Sequence, residues 1–254
     1  MKRESGILLS ISSLPSRYGI GCFSKEAYEF VDQLKQAGQS CWQILPLGPT
    51  SYGDSPYQSF STFAGNPYFI SLDELVKKGY LQTQECEEAA QGTDERRVQY
   101  GVLYEKRFAL LRRAFGRSGI EADTAFNAFV QANSSWLPDY ALFMAIKDSR
   151  NGQSYLEWEE GIRLRRPESM VSYKNKLMDD VYFYEFLQYE FYSQWKALKS
   201  YANKKGVRII GDIPIYVALD SADTWSHPEL FQFDSEGRPV GVAGCPPDAF
   251  SETV

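Results

Sequence analysis

The sequence predicts an α/β fold in which short parallel strands carry a site and a long helical insertion separates two of them. Three observations lead there. Apolar runs end in loops rich in Gly, Pro and Ser at Gly6-Ile7-Leu8-Leu9-Ser10-Ile11, Cys41-Trp42-Gln43-Ile44-Leu45-Pro46-Leu47 and Val207-Arg208-Ile209-Ile210-Gly211. A helical pattern from Lys25 to Ala37 joins the first two runs, as a crossover between parallel strands requires. From Leu72 to about Arg166 the periodicity is helical and amphipathic, with no convincing strand.

Taken in order, the first run reads as a buried strand, followed by a loop at Ser12-Ser13-Leu14-Pro15-Ser16. Ser24 is the expected N-cap of the first helix. Ala27, Phe30, Val31 and Leu34 form its apolar face, and Gly38 stops it. The second run, Cys41 to Leu47, opens into a long loop, Gly48 to Asn66, with almost no aliphatic side chains. Long loops at strand carboxyl ends usually carry function.

Val102, Leu103, Phe108, Leu111 and Phe115 set the helical period of the insertion, and Pro167 marks a break. A second long helix spans Asp179 to Asn203, with Val181, Phe186, Tyr189, Phe191, Trp195 and Leu198, and Lys204-Lys205-Gly206 closes it. The third run then delivers Asp212 to its carboxyl end, where ligands gather in α/β proteins. This organisation divides the chain into residues 1–71, an inserted helical subdomain at 72–166, and a return to the sheet at 167–254. Gly237 to Gly244, before Pro246-Pro247, reads as a mobile surface loop. With 254 residues the chain has the length of one α/β barrel or of two smaller domains, but three strands are legible where a barrel needs eight.

Composition narrows the partners. A formal charge of -6 without any long Lys/Arg block leaves no footprint for a phosphate backbone, which argues against nucleic acid. The 17 Tyr and 16 Phe suit sugars, which offer apolar C–H faces to rings and hydroxyls to a phenol. Cys22, Cys41, Cys86 and Cys245 are widely spaced and His227 is the only imidazole, so neither a metal site nor a disulfide framework is spelled out. Free thiols fit a reducing cytoplasm. The apolar run after Met1-Lys2-Arg3 is too short for a secretory signal and no membrane segment is expected.

Two constellations can carry chemistry. Tyr52-Gly53-Asp54-Ser55-Pro56-Tyr57-Gln58-Ser59 joins turn formers to two phenols, so it either presents Tyr57 to a ligand or is a β-turn with its tyrosines packed beneath. Asp212 can bind a sugar hydroxyl pair, hold a metal, orient a neighbour, or simply cap a turn. Asp220 and Asp223 are expected to cap the next helical turn, and His227, beside Pro228, to lie on the surface. A nucleophile elbow, a Walker loop and a dinucleotide fingerprint are all missing.

Four blocks then occur in one order: Tyr52-Gly53-Asp54-Ser55-Pro56-Tyr57-Gln58, Ala64-Gly65-Asn66-Pro67-Tyr68, Gly211-Asp212-Ile213-Pro214-Ile215-Tyr216-Val217-Ala218 and Pro246-Pro247-Asp248-Ala249-Phe250-Ser251-Glu252-Thr253. On these blocks the chain resembles the 4-α-glucanotransferases (amylomaltases, disproportionating enzymes) from Gly6 to Thr253. The resemblance implies a (β/α)8 TIM barrel, of which this chain holds about the first three strands, with inserted subdomains. It also implies transfer of an α-1,4-glucan segment to the 4-hydroxyl of another glucan, with retention and without metal or organic cofactor. In the family an aspartate is the nucleophile, a glutamate the acid and base, and a second aspartate a stabiliser of the distorted sugar.

Carried onto this sequence, the resemblance makes Tyr57 the ring beside the scissile bond and Asp212 its supporting carboxylate, with Ser55 of the same block also binding substrate. Tyr52 becomes part of a secondary glucan-binding surface. Gly241 to Glu252 becomes the first half of a loop folding over glucan, with Asp248 a hydroxyl ligand. Val254 stands where the family has Gly, so the three catalytic carboxylates are expected beyond it and these 254 residues alone are expected to be inactive. The alternatives are a glucan-binding fragment, a structural half prone to aggregate along open edges, or a parent enzyme that hydrolyses α-glucan.

Overall fold

The computed structural model describes residues 3–94 and 96–241. Three parallel strands, β1 (Gly6–Leu8), β2 (Cys41–Gln43) and β3 (Arg208–Ile210), lie in the order β1-β2-β3, with Gly6 opposite Cys41 and Cys41 opposite Arg208. Helix α1 (Lys25–Gln36) is the crossover between the first two. Its Ala27, Val31 and Leu34 are buried, and Phe30 meets the Trp42 indole edge-on at 5.0 Å. Gly38 follows with φ 71°, the left-handed conformation that ends a helix at little cost for glycine.

Three expectations fail here for physical reasons. The first strand is not buried. Leu8, Gln43 and Ile210 are in register on one face that no described residue covers, while Trp42 on the opposite face packs toward α1. The strands are also shorter than their apolar runs, and Ile11 is buried in a helical turn rather than in the sheet. Ser24 does not cap α1 through its side chain; its hydroxyl donates to Glu26 at 2.5 Å instead.

Between β2 and β3 run α2 (Leu72–Lys77), α3 (Thr83–Ala90), α4 (Tyr100–Ser118), α5 (Thr124–Ala132), α6 (Leu137–Ser149), α7 (Glu160–Arg163), α8 (Pro167–Lys176) and α9 (Met178–Lys204). Pro167 opens α8, where its missing N–H costs nothing. Helix α6 is apolar nearly all round and accordingly lies inside, buried from Tyr140 to Lys147. Helix α9 packs along α6 and also touches α1 and β3, so the sheet and the helical region share one continuous core. A short helix, α10 (Ala222–Ser226), follows β3. Among the described residues no helix is long and apolar enough to cross a membrane.

A candidate ligand cleft at the carboxyl ends of the strands

Beyond β2 and β3 the chain opens into two walls. Residues 48–66 form the first, which folds back on itself through an antiparallel bridge between Thr50 and Ser59. Gly53 and Asp54 both have positive φ, 78° and 56°, which turns the segment sharply. The N–H of Tyr57 then donates to the Ser55 hydroxyl at 3.2 Å, and the ring is left 46% exposed. Residues 211–219, directly after β3, form the second wall.

The walls meet at one bond. The Tyr57 hydroxyl donates to Oδ2 of Asp212 at 2.8 Å, across 155 residues of sequence. That bond to the carboxylate, with some loss of hydration, raises the Tyr57 phenol above its usual range and keeps it protonated. Oδ1 of Asp212 makes no hydrogen bond among the described residues. Tyr57 and Asp212 both line a cleft of 470 Å³ whose floor is Ile44, Leu47, Ile209 and the α9 side chains Phe191 and Trp195. Ser55, Tyr57 and Asp212 also border an adjoining, more open groove of 1150 Å³.

Helix α9 fixes the first wall. Gln188, fully buried, accepts from the Gly65 N–H at 2.7 Å and donates to the Gly65 carbonyl at 2.9 Å. A Cβ at Gly65 would lie 2.1 Å from the Phe191 ring, so only glycine permits this approach. Gln194 accepts from the Ser71 N–H at 2.7 Å, and the Tyr192 hydroxyl donates to the Phe63 carbonyl at 2.5 Å. The sequence pattern marks α9 only as a long helix and does not reveal these contacts. Two glutamines six residues apart, at Gln188 and Gln194 in an aromatic run, were the available signal.

Other expected residues take different places. Asp220 and Asp223 do not cap α10. Ser221 does, accepting from the Thr224 N–H. Asp220 instead pairs with the buried Lys147 ammonium at 2.5 Å and accepts from the Tyr155 N–H at 3.1 Å. Asp223 accepts from the Thr62 N–H and hydroxyl at 2.9 and 2.7 Å, tying α10 to the first wall. His227 is exposed and faces Glu229. Asp248 and the Tyr52 side chain lie outside the described part of the structure, as does the loop after residue 241. The described residues before it make a tight turn, with Gly237 at φ 75° and Phe233 bridged to Pro239.

An open, partly aromatic cleft with one carboxylate among the described residues, set where parallel strands end, lies where α/β proteins usually take ligands. The comparisons with known proteins are more specific. The chain belongs to the 4-alpha-glucanotransferase family, whose model matches residues 9–253. It is 52% identical over 246 residues to a 4-alpha-glucanotransferase of Clostridium butyricum, covering 96% of this chain and 50% of that protein. A 4-alpha-glucanotransferase of Thermus thermophilus is 47% identical over 257 residues, covering 100% of this chain and 50% of that one. The solved structure of amylomaltase from Streptococcus agalactiae in complex with acarbose superposes with a TM-score of 0.93 at 44% identity, covering 99% of this chain and 51% of that chain. The chain therefore spans about half the length of the curated relatives it matches, and its three-stranded parallel sheet is consistent with part of a barrel.

Proposed function

We propose that this chain supplies the donor-side sugar contacts of a 4-α-glucanotransferase, which moves an α-1,4-glucan segment to the 4-hydroxyl of an acceptor glucan or glucose. The observation that carries this reading is the Tyr57–Asp212 pair, exposed in a cleft at the strand ends. A phenol ring offers its face to the C–H face of a glucosyl unit. The carboxylate, already oriented by one phenolic donor, accepts from sugar hydroxyls with its remaining lone pairs. Ser55 acts through Tyr57, holding its backbone so that the ring is placed before the sugar arrives.

A retaining double displacement needs two carboxyl groups about 5 to 5.5 Å apart. Asp212 is the one carboxylate lining the 470 Å³ cleft among the described residues, and Asp220, on the adjoining groove, is committed to Lys147. On this proposal the nucleophile, the general acid and the stabilising aspartate are supplied by sequence outside the described residues. Asp212 is a binding group. Residues 241–252, with Asp248, form part of a cover that favours a sugar acceptor over water by excluding solvent. Tyr52 belongs to a second glucan surface, residues 72–166 are an inserted subdomain, and the protein works in the cytoplasm on maltooligosaccharides and amylose.

Two experiments test this. Calorimetric titration with maltotriose at millimolar concentration is expected to show saturable heat, and a flat titration contradicts the glucan reading. Incubation of the chain with maltotriose, followed by chromatography of the sugars, is expected to show neither glucose nor longer oligosaccharides. Redistributed chain lengths contradict the assignment of the reacting carboxylates elsewhere, and glucose alone points to hydrolysis.

A further inference from the structure

A large apolar ring held in water on a fixed backbone calls for an explanation, and Phe63 is one. Its side chain is 56% exposed. Yet the backbone around it is bonded on three sides. The Phe63 N–H donates to the Ser61 hydroxyl at 3.1 Å, its carbonyl accepts from Tyr192 of α9, and the preceding Thr62 is held twice by Asp223 of α10. The ring lies nearly parallel to the Trp136 indole, with centroids 6.1 Å apart and planes inclined by 19°. Trp136 is in turn fixed, its indole N–H donating to Asn133 at 3.1 Å and its ring packed against Tyr140 and Tyr192.

The two rings stand at the edge of a second groove, of 380 Å³, between the first wall, the start of α6 and α10. Ser61, Thr62, Phe63 and Val217 line both this groove and the cleft of Tyr57 and Asp212, so the two run into each other. The second groove holds one carboxylate among its described lining residues. Its carboxylate, Asp223, is taken by Thr62, while the Ser135 and Ser226 hydroxyls make no hydrogen bond among the described residues. Flat rings beside free hydroxyls suit a sugar chain, and the Asp223 charge argues against a phosphate.

We propose that Phe63 and Trp136 form an additional glucan subsite, taking the units of an α-1,4-glucan chain that extends out of the Tyr57–Asp212 cleft. This rests on the glucan reading of that cleft and adds a length preference to it. Phe63 lines both grooves and Trp136 only the second, so a maltotriose in the cleft stays short of Trp136, whereas a maltoheptaose spans both. Preorganised rings lose little entropy on binding, so the added contact appears directly in affinity.

The test is calorimetric titration of the chain with maltotriose and with maltoheptaose, repeated on Phe63→Ala, Phe63→Tyr and Trp136→Ala. The wild type is expected to bind maltoheptaose more tightly than maltotriose. Phe63→Ala is expected to remove about tenfold of the maltoheptaose affinity and a smaller share of the maltotriose affinity, while Phe63→Tyr retains the wild-type pattern. Phe63 is exposed, so its truncation leaves folding intact even where Trp136→Ala does not. Equal losses for both sugars mean that Phe63 serves the first cleft alone and overturn the proposal, as does an unchanged maltoheptaose affinity. If the wild type binds maltotriose but shows no gain with length, the subsite fails and the cleft reading stands; if it binds neither sugar, the glucan reading itself fails and takes the subsite with it.

Discussion

The two walls of the cleft are built on opposite principles. Both follow parallel strands, and each contributes one partner to the Tyr57–Asp212 bond. Residues 48–66 are bonded to α9 and α10 through Gly65, Phe63 and Thr62, and they approach α9 so closely that a single Cβ would not fit. Residues 211–219 leave Ile213 83% and Ile215 92% exposed. No backbone N–H of that segment donates to another backbone group among the described residues. The first wall is a rigid template; the second is pinned mainly at its ends, by Asp212 to Tyr57 and by Asp220 to Lys147. Preorganisation in the cleft thus comes from the helical side of the molecule.

That contrast can be broken from several directions. The largest effect is expected at Lys147→Met, which strands the Asp220 carboxylate and frees the end of the second wall. Removing one partner of a buried pair costs about 4 kcal/mol, to be read from urea denaturation. Gly65→Ala should cost about 3 kcal/mol by driving a methyl group into the Phe191 ring, and the same titration measures it. A loss below about 1 kcal/mol means that the first wall yields and is not the rigid one.

Next comes a pH effect on the anchoring helix itself. Glu185 of α9 is buried without a hydrogen-bond partner among the described residues, and burial pushes its carboxyl up to about 7, opposed by Lys174. In the unfolded chain that group ionises from about 4.5, so the folded state holds the extra proton between the two values. Stability therefore falls as pH rises from about 4.5 to 7, by about 3 kcal/mol in all. Glu185→Gln is expected to raise stability by about 2 to 3 kcal/mol at pH 8 and to change it little at pH 4, as melting curves at the two pH values will show. The smallest effect belongs to the second wall, where Ile215→Ser should stay within about 0.5 kcal/mol of wild type by the same melting measurement.

What the sequence made legible follows the same divide. The βαβ start, with α1 bounded by Lys25 and Gly38, was readable because its apolar spacing and its stop are local. Tyr57 and Asp212 were readable as strand-end groups and through the four blocks, and the structure joins them by a hydrogen bond. The exposure of Leu8 and Ile210 was not readable, because an apolar run looks the same whether or not a neighbour covers it. Nor were the bonds from Gln188 to Gly65 and from Lys147 to Asp220, which cross 123 and 73 residues and leave no periodic mark. Asp220 was misread for that reason. A carboxylate just before a short helix has the pattern of a cap, and the buried lysine of α6 and the Tyr155 N–H give it other partners.

The central claim is that glucan sits between the two walls, against Tyr57 and Asp212. A crystal structure of the chain with maltotriose tests it most directly. The account predicts a glucosyl ring packed on the Tyr57 face, with a hydroxyl within hydrogen-bond distance of an Asp212 carboxylate oxygen. A sugar bound elsewhere, with the cleft empty and the Tyr57–Asp212 bond untouched, contradicts it.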